Sequence, residues 1–158
     1  MPKRHPSLIP LSRDHHDGLL LALRLRQGKK ALLTDWSHDL HWQAKYVVEF
    51  YNKNLMRHFE AEEKVLFPAM KKHAKESLKT IEILLNQHEE MRRSVKAFER
   101  RDEESLQDDL RDFGKLLDEH IRIEEHQLFP AFEKSVPSNV AEYVGKEIEK
   151  IDKPAVSR

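Results

Sequence analysis

The chain has 158 residues, with 28 Lys plus Arg balanced by 28 Asp plus Glu, 10 His and no Cys. That length suggests one domain, the zero net charge gives no global attraction to nucleic acid or anionic lipid, and the absence of Cys excludes disulfides, thiolate metal sites and cysteine nucleophiles. The longest clean apolar run, Leu19–Leu23, is too short to span a bilayer, and the start, MPKRHPSLIP, lacks the apolar centre of a signal peptide, so a soluble, cytoplasmic protein with no membrane partner is expected.

Only 4 Gly are present and Lys, Arg, Glu and Leu dominate, a composition that favours helices. No stretch alternates with period two for long enough to suggest a sheet. A first helix is predicted from about Ser7 to Gln27, with Pro10 tolerated in its first turn and Gly28 as its stop. A second begins near Thr34 as N-cap and carries Trp36, Val47, Tyr51 and His58 toward Phe67, where Pro68 should end or kink it. A third spans about Ser77 to Arg101. A fourth spans about Ser105 to Phe129, where Pro130 repeats the kink. Ser138 starts a short fifth helix through Lys150, whose Val140, Val144 and Ile148 recur every four residues and should pack on the rest. Residues 1–151 form the single domain, and residues 152–158 read as a flexible tail. Arg92, Arg93, Arg100 and Arg101 interleave with Glu89, Glu90 and Glu99, which marks a solvated helix face and not a nucleic-acid patch.

The chain repeats itself. Residues 58–70 read HFEAEEKVLFPAM and residues 120–132 read HIRIEEHQLFPAF, identical in seven of thirteen columns, where about one match is expected by chance. Each copy sets a His and a Glu four residues apart, His58 with Glu62 and His120 with Glu124, which stacks them on one helix face. Upstream, Leu8, Leu11, His15, Ala22 and Leu25 align with Ile81, Leu84, His88, Val95 and Phe98, one His set into each apolar stripe. The chain is therefore all-α, two helical hairpins of related sequence. His15 and His58 are 43 residues apart and His88 and His120 are 32 apart, so the extra 11 residues sit mostly around Gly28–Trp36.

Four matched histidines and two matched carboxylates in one core would be strongly destabilising without partners, and metal coordination answers that cost. The candidate metal residues are His15, His58, Glu62, His88, His120 and Glu124. His16 points about 100° away from His15 and aligns with Glu89, which suggests an outer face. His126 aligns with Lys64 and should face solvent. Glu63 and Glu125 are repeated and read either as groups supporting the site, as substitute ligands, or as a charged face. Leu66–Phe67 and Leu128–Phe129 read as core anchors closing the end of the site. Six such ligands exceed a tetrahedral zinc site. Imidazole with carboxylate suits iron, with manganese as the alternative metal. No Glu lies three residues before any His, as a ferritin-like bundle would need, and no H-E-x-x-H occurs.

The pattern of His15, HFEAEEKVLFP, His88 and HIRIEEHQLFP resembles the hemerythrin-like family from about Leu8 to Phe132. The resemblance implies an up-down-up-down four-helix bundle, here with a short extra C-terminal helix, around a non-haem di-iron centre. It implies that His15 and His58 serve one iron, that His88 and His120 serve the other, and that Glu62 and Glu124 bridge them with an oxo or hydroxo group. The expected partner is a small ligand such as O2, peroxide or nitric oxide, with iron handling as a related role. Oxygen carriers of the family place a further His one turn after the third-helix His, where this chain has Arg92, so an open coordination position is expected. Their fourth-helix carboxylate lies at the position of Glu125. The competing reading is a structural or protein-interaction bundle without a redox metal.

Overall fold

The structure, a computed structural model, describes residues 4–27, 35–100 and 105–152. Gly28, Thr34, Arg101 and residues 153–158, to which the sequence assigns a stop, a cap, a helix end and a tail, lie outside them. Among the described residues there is no strand. A short 3-10 turn, Pro6–Leu8, leads into α1, Ile9–Gln27. Helix α2 covers residues 40–73, α3 is Leu78–Glu99, α4 covers residues 106–135 and α5 is Ser138–Asp152. Asp39 caps α2, its Oδ1 accepting from the amides of His41 at 2.9 Å and Trp42 at 3.2 Å, which satisfies donors the helix start leaves open.

Both long helices extend beyond Phe67 and Phe129, the bounds expected from an end or kink at Pro68 and a kink at Pro130. Helix α2 runs through Pro68 to His73, and α4 runs through Pro130 to Ser135. Immediately before each proline the helix opens into a π turn, Glu62–Leu66 and Glu124–Leu128, in which the Phe67 amide donates to the Glu62 carbonyl and the Phe129 amide to the Glu124 carbonyl. A turn spaced in this way returns to α spacing by leaving a carbonyl without an amide partner. A proline, having no amide hydrogen, fits there at small further cost. A third π turn, Tyr51–Leu55, lies earlier in α2 and has no counterpart in α4, which is regular over Leu106–Ile123.

Two apolar clusters fill the interior. The first holds Leu21, Ala22 and Leu25 of α1, Val47 and Phe59 of α2, Met91, Val95 and Phe98 of α3, and Leu110, Phe113 and Leu117 of α4. The second holds Leu8 and Leu11, then Leu66, Phe67 and Met70 of α2, Ile81 and Leu84 of α3, and Leu128, Phe129 and Phe132 of α4, with Ala141, Val144 and Ile148 of α5. Helices α1 and α4 pack along much of their length. Gly114 permits a close approach, since a Cβ there would lie 2.9 Å from the Leu25 Cβ and 3.0 Å from the Ala22 carbonyl oxygen. Helix α5 seats on the first turn of the chain, where the Ser7 hydroxyl donates to the Ala141 carbonyl at 2.6 Å.

Candidate metal centre

On every long helix the change from one cluster to the other falls at a polar residue. These are His15 on α1, His58 and Glu62 on α2, Gln87 and His88 on α3, and His120 and Glu124 on α4, all buried. The helical steps that place Leu11 and Ala22 in the core place His15 between them. The four-residue step puts each Glu one turn beyond its His. Glu62 and Glu124 are 0 % exposed, a costly state for an unpaired carboxylate.

The four imidazoles turn their Nε2 atoms toward these two carboxylates. His15 Nε2 lies 2.8 Å from Glu124 Oε1, and His88 Nε2 lies 2.9 Å from Glu62 Oε1. His58 Nε2 is 3.2 Å from Glu62 Oε2 and 3.5 Å from Glu124 Oε1. His120 Nε2 is 3.8 Å from Glu62 Oε1 and 3.6 Å from Glu124 Oε2. The six residues divide into two overlapping groups, His15–His58–Glu62–Glu124 and Glu62–His88–His120–Glu124. Within each group the potential ligand atoms lie within 4.8 Å of one another. Ligand atoms about 2.1 Å from one ion and at right angles are about 3 Å apart, close to these separations. Glu62 Oε2, Glu124 Oε2 and His120 Nε2 are buried and have no hydrogen-bond partner, as atoms reserved for a cation would be. The residues fit a pair of metal ions.

Each imidazole is fixed from behind through Nδ1. Glu125 Oε2 lies 2.6 Å from His15 Nδ1, and Glu63 Oε2 lies 2.6 Å from His88 Nδ1. The repeated Glu-Glu pair thus clasps an imidazole by both nitrogens, Glu124–Glu125 on His15 and Glu62–Glu63 on His88. Asp14 Oδ2 lies 3.1 Å from His58 Nδ1, and Gln87 Oε1 lies 2.8 Å from His120 Nδ1. Such partners fix the ring and direct the other nitrogen toward a metal. Asp14 and Gln87 are supporting residues that the repeat pattern does not mark by identity. Their signal was that each immediately precedes its repeated His. Phe129 stacks on His15 with centroids 5.5 Å apart, and Phe67 on His88 at 5.8 Å, so the Leu-Phe anchors do close one end of the polar layer. His16 and His126 are exposed and outside both groups.

The buried carboxylates favour protonation of three of the imidazoles, and the imidazoles favour ionisation of Glu62. Burial disfavours the imidazolium of His58, yet the Glu62 charge and hydrogen bonds to Asp14 and Glu124 hold its pKa well above the ordinary value. His15 and His88 are likewise raised against burial by their paired glutamates. Burial opposes ionisation of Glu62, but the charge of the neighbouring His58 imidazolium holds it well below the carboxylate range. Glu63 is lowered by its hydrogen bond with His88.

The family model for the hemerythrin HHE cation-binding domain matches residues 7–132, a span that includes all six clustered residues. The chain belongs to this family. No curated protein matches it.

Proposed function

We propose that this member of the hemerythrin family is a non-haem di-iron protein that binds or senses O2, peroxide or nitric oxide, or handles iron, with manganese as the alternative metal. The observation that carries this reading is the pair of four-residue groups sharing Glu62 and Glu124. His15 and His58 would hold one ion, His88 and His120 the other, and the two glutamates would bridge them. When bound, two such ions supply a redox-active, Lewis-acidic centre for small oxygen and nitrogen species. The protein's own contribution is to aim four Nε2 atoms inward, hold their Nδ1 protons on outer acceptors, and exclude bulk water with Phe59, Phe67 and Phe129. A small cavity of about 10 Å³ borders His15, His58, His120, Gly18, Asn54 and Ile121. That is about the room one water needs, which supports a diatomic or similarly small ligand.

The up-down-up-down course of the four long helices is part of the same reading. It is supported by the order in which they traverse the interior: α1 and α3 pass from the second cluster to the first, and α2 and α4 pass back. A single domain and a cytoplasmic setting complete the proposal. Among the described residues, no helix is long and apolar enough to cross a membrane.

The test is elemental analysis and the ultraviolet–visible spectrum of freshly purified protein, followed by anaerobic reduction and addition of O2, peroxide or nitric oxide. About two irons per chain and ligand-to-metal bands that respond to one of these are expected. A colourless, metal-free protein of unchanged stability would instead support a purely structural bundle.

A further inference from the structure

We propose that Asp14 makes the two metal positions unequal, so that the His15–His58 position takes a divalent cation first and more tightly than the His88–His120 position. The inference rests on the di-metal reading above.

The internal repeat is almost closed in geometry and broken in charge. His15 and His88 are each backed by a glutamate, Glu125 and Glu63, at the same distance of 2.6 Å. Each of these glutamates meets one arginine, recruited from positions the repeat does not relate. Arg4 Nε lies 3.4 Å from Glu125 and Arg92 Nη2 lies 2.8 Å from Glu63. Each arginine meets a second carboxylate, Arg4 on Glu133 at 2.8 Å and Arg92 on Glu89 at 2.6 Å. These sets therefore match in charge, two carboxylates and one guanidinium on either side.

The match ends at the residue before each repeated His. Asp14 holds His58 Nδ1 with a carboxylate, whereas Gln87 holds His120 Nδ1 with a neutral amide oxygen. Both acceptors fix their ring. Only the carboxylate adds a negative charge near the cation and makes the opposite nitrogen a better donor. Among the described residues, one unit of charge therefore separates the sets that back the two positions. The Asp14 side chain is 33 % exposed, so solvent screens part of that charge, and the difference falls at the lower end of the roughly 10- to 100-fold range typical of such outer partners.

The test is an anaerobic titration of the full-length, metal-stripped protein with Co2+, read by its visible absorption against a competing chelator. The parent should bind two Co2+ in steps about tenfold apart. Asp14→Asn should weaken the tighter step about tenfold, and Gln87→Glu should strengthen the weaker one. Position is assigned in single-site backgrounds: Asp14→Asn should weaken Co2+ binding in His120→Ala but leave it unchanged in His58→Ala. The inference is overturned if Asp14→Asn leaves the tighter step unchanged or acts equally in both backgrounds. Two Co2+ bound with equal intrinsic affinity in the parent would sink this inference while sparing the di-metal reading. A parent that binds no Co2+ would sink both.

Discussion

His88 lies nearly flat against Phe59, with ring centroids 3.8 Å apart and planes 17° from parallel. Arg92 then covers Phe59, its guanidinium carbon 5.6 Å from the ring centroid, while its two terminal nitrogens reach Glu63 and Glu89. Phe59 and Arg92 form a lateral wall beside the His88–His120 group. The residue that stands where an oxygen carrier has a further ligand is thus turned to the outside of the polar layer.

Arg92→Ala should therefore cost stability without changing metal stoichiometry. Losing two partly exposed ion pairs and a cation–π contact is expected to cost about 1 kcal/mol. Chemical denaturation measures the loss, and elemental analysis should still count two metals per chain. A drop to one metal would show that Arg92 is needed to form the site itself.

The two bridging carboxylates and the terminal histidines should fail differently. His58→Ala and His120→Ala are each expected to leave about one metal per chain, from opposite positions. Glu62→Ala and Glu124→Ala should weaken both metals, because each glutamate belongs to both four-residue groups. Metal counting on the four variants checks this. Full occupancy in all of them would make the repeat structural only.

The dependence of stability on pH should differ with and without metal. In the metal-free protein the raised histidines favour folding below their ordinary pKa of 6.5, and that contribution is lost as pH rises through their folded values. The lowered Glu62 contributes above its ordinary 4.5 and loses this as pH falls through its folded value. Chelated protein should thus melt highest between about pH 4.5 and 6.5 and lower at pH 8. Metal competes with those protons, so the loaded protein should gain stability over the chelated form as pH rises. Thermal melts from pH 5 to 9 with and without chelator give both curves, and parallel curves would contradict the shared site.

Two glycines of the bundle should respond unequally to alanine. At Gly114 the new Cβ meets the Leu25 Cβ and a backbone carbonyl of α1, neither of which can swing aside, so Gly114→Ala is expected to cost about 1–3 kcal/mol. At Gly18 the obstacle is Ile121 Cδ1 at 2.8 Å, the far end of a side chain that can rotate. Gly18→Ala should cost less in a denaturation experiment, and the reverse order would mean that α1 and α4 can slide apart at Gly114.

Much of this arrangement is legible in the sequence. The step of four from His to Glu, written twice, and the single His in each matched apolar stripe brought the six clustered residues to notice, because helical spacing alone puts them on core faces. What periodicity could not reveal was a change in the helix itself. Under α spacing Pro68 reads as an end or a kink and Pro130 as a kink, and the wider turns at Glu62–Leu66 and Glu124–Leu128 carry both helices past them. Asp14 and Gln87 are hidden in the sequence for another reason. They differ in residue type, so a comparison based on identity skips them, although each serves as the Nδ1 acceptor of its own repeat.

The division of the interior into two apolar clusters bears on cooperativity. Each cluster draws on all four long helices, and their boundary is the layer of imidazoles and carboxylates. Loaded with cations, that layer is a cross-brace tying four helices at mid-height. Stripped of them, it becomes a seam where water and protons gain most by entering. Amide exchange in the loaded protein should then follow one global opening. In the stripped protein the helix segments at either end should exchange as separate units, with Phe113 and Phe132 reporting from opposite sides of the break.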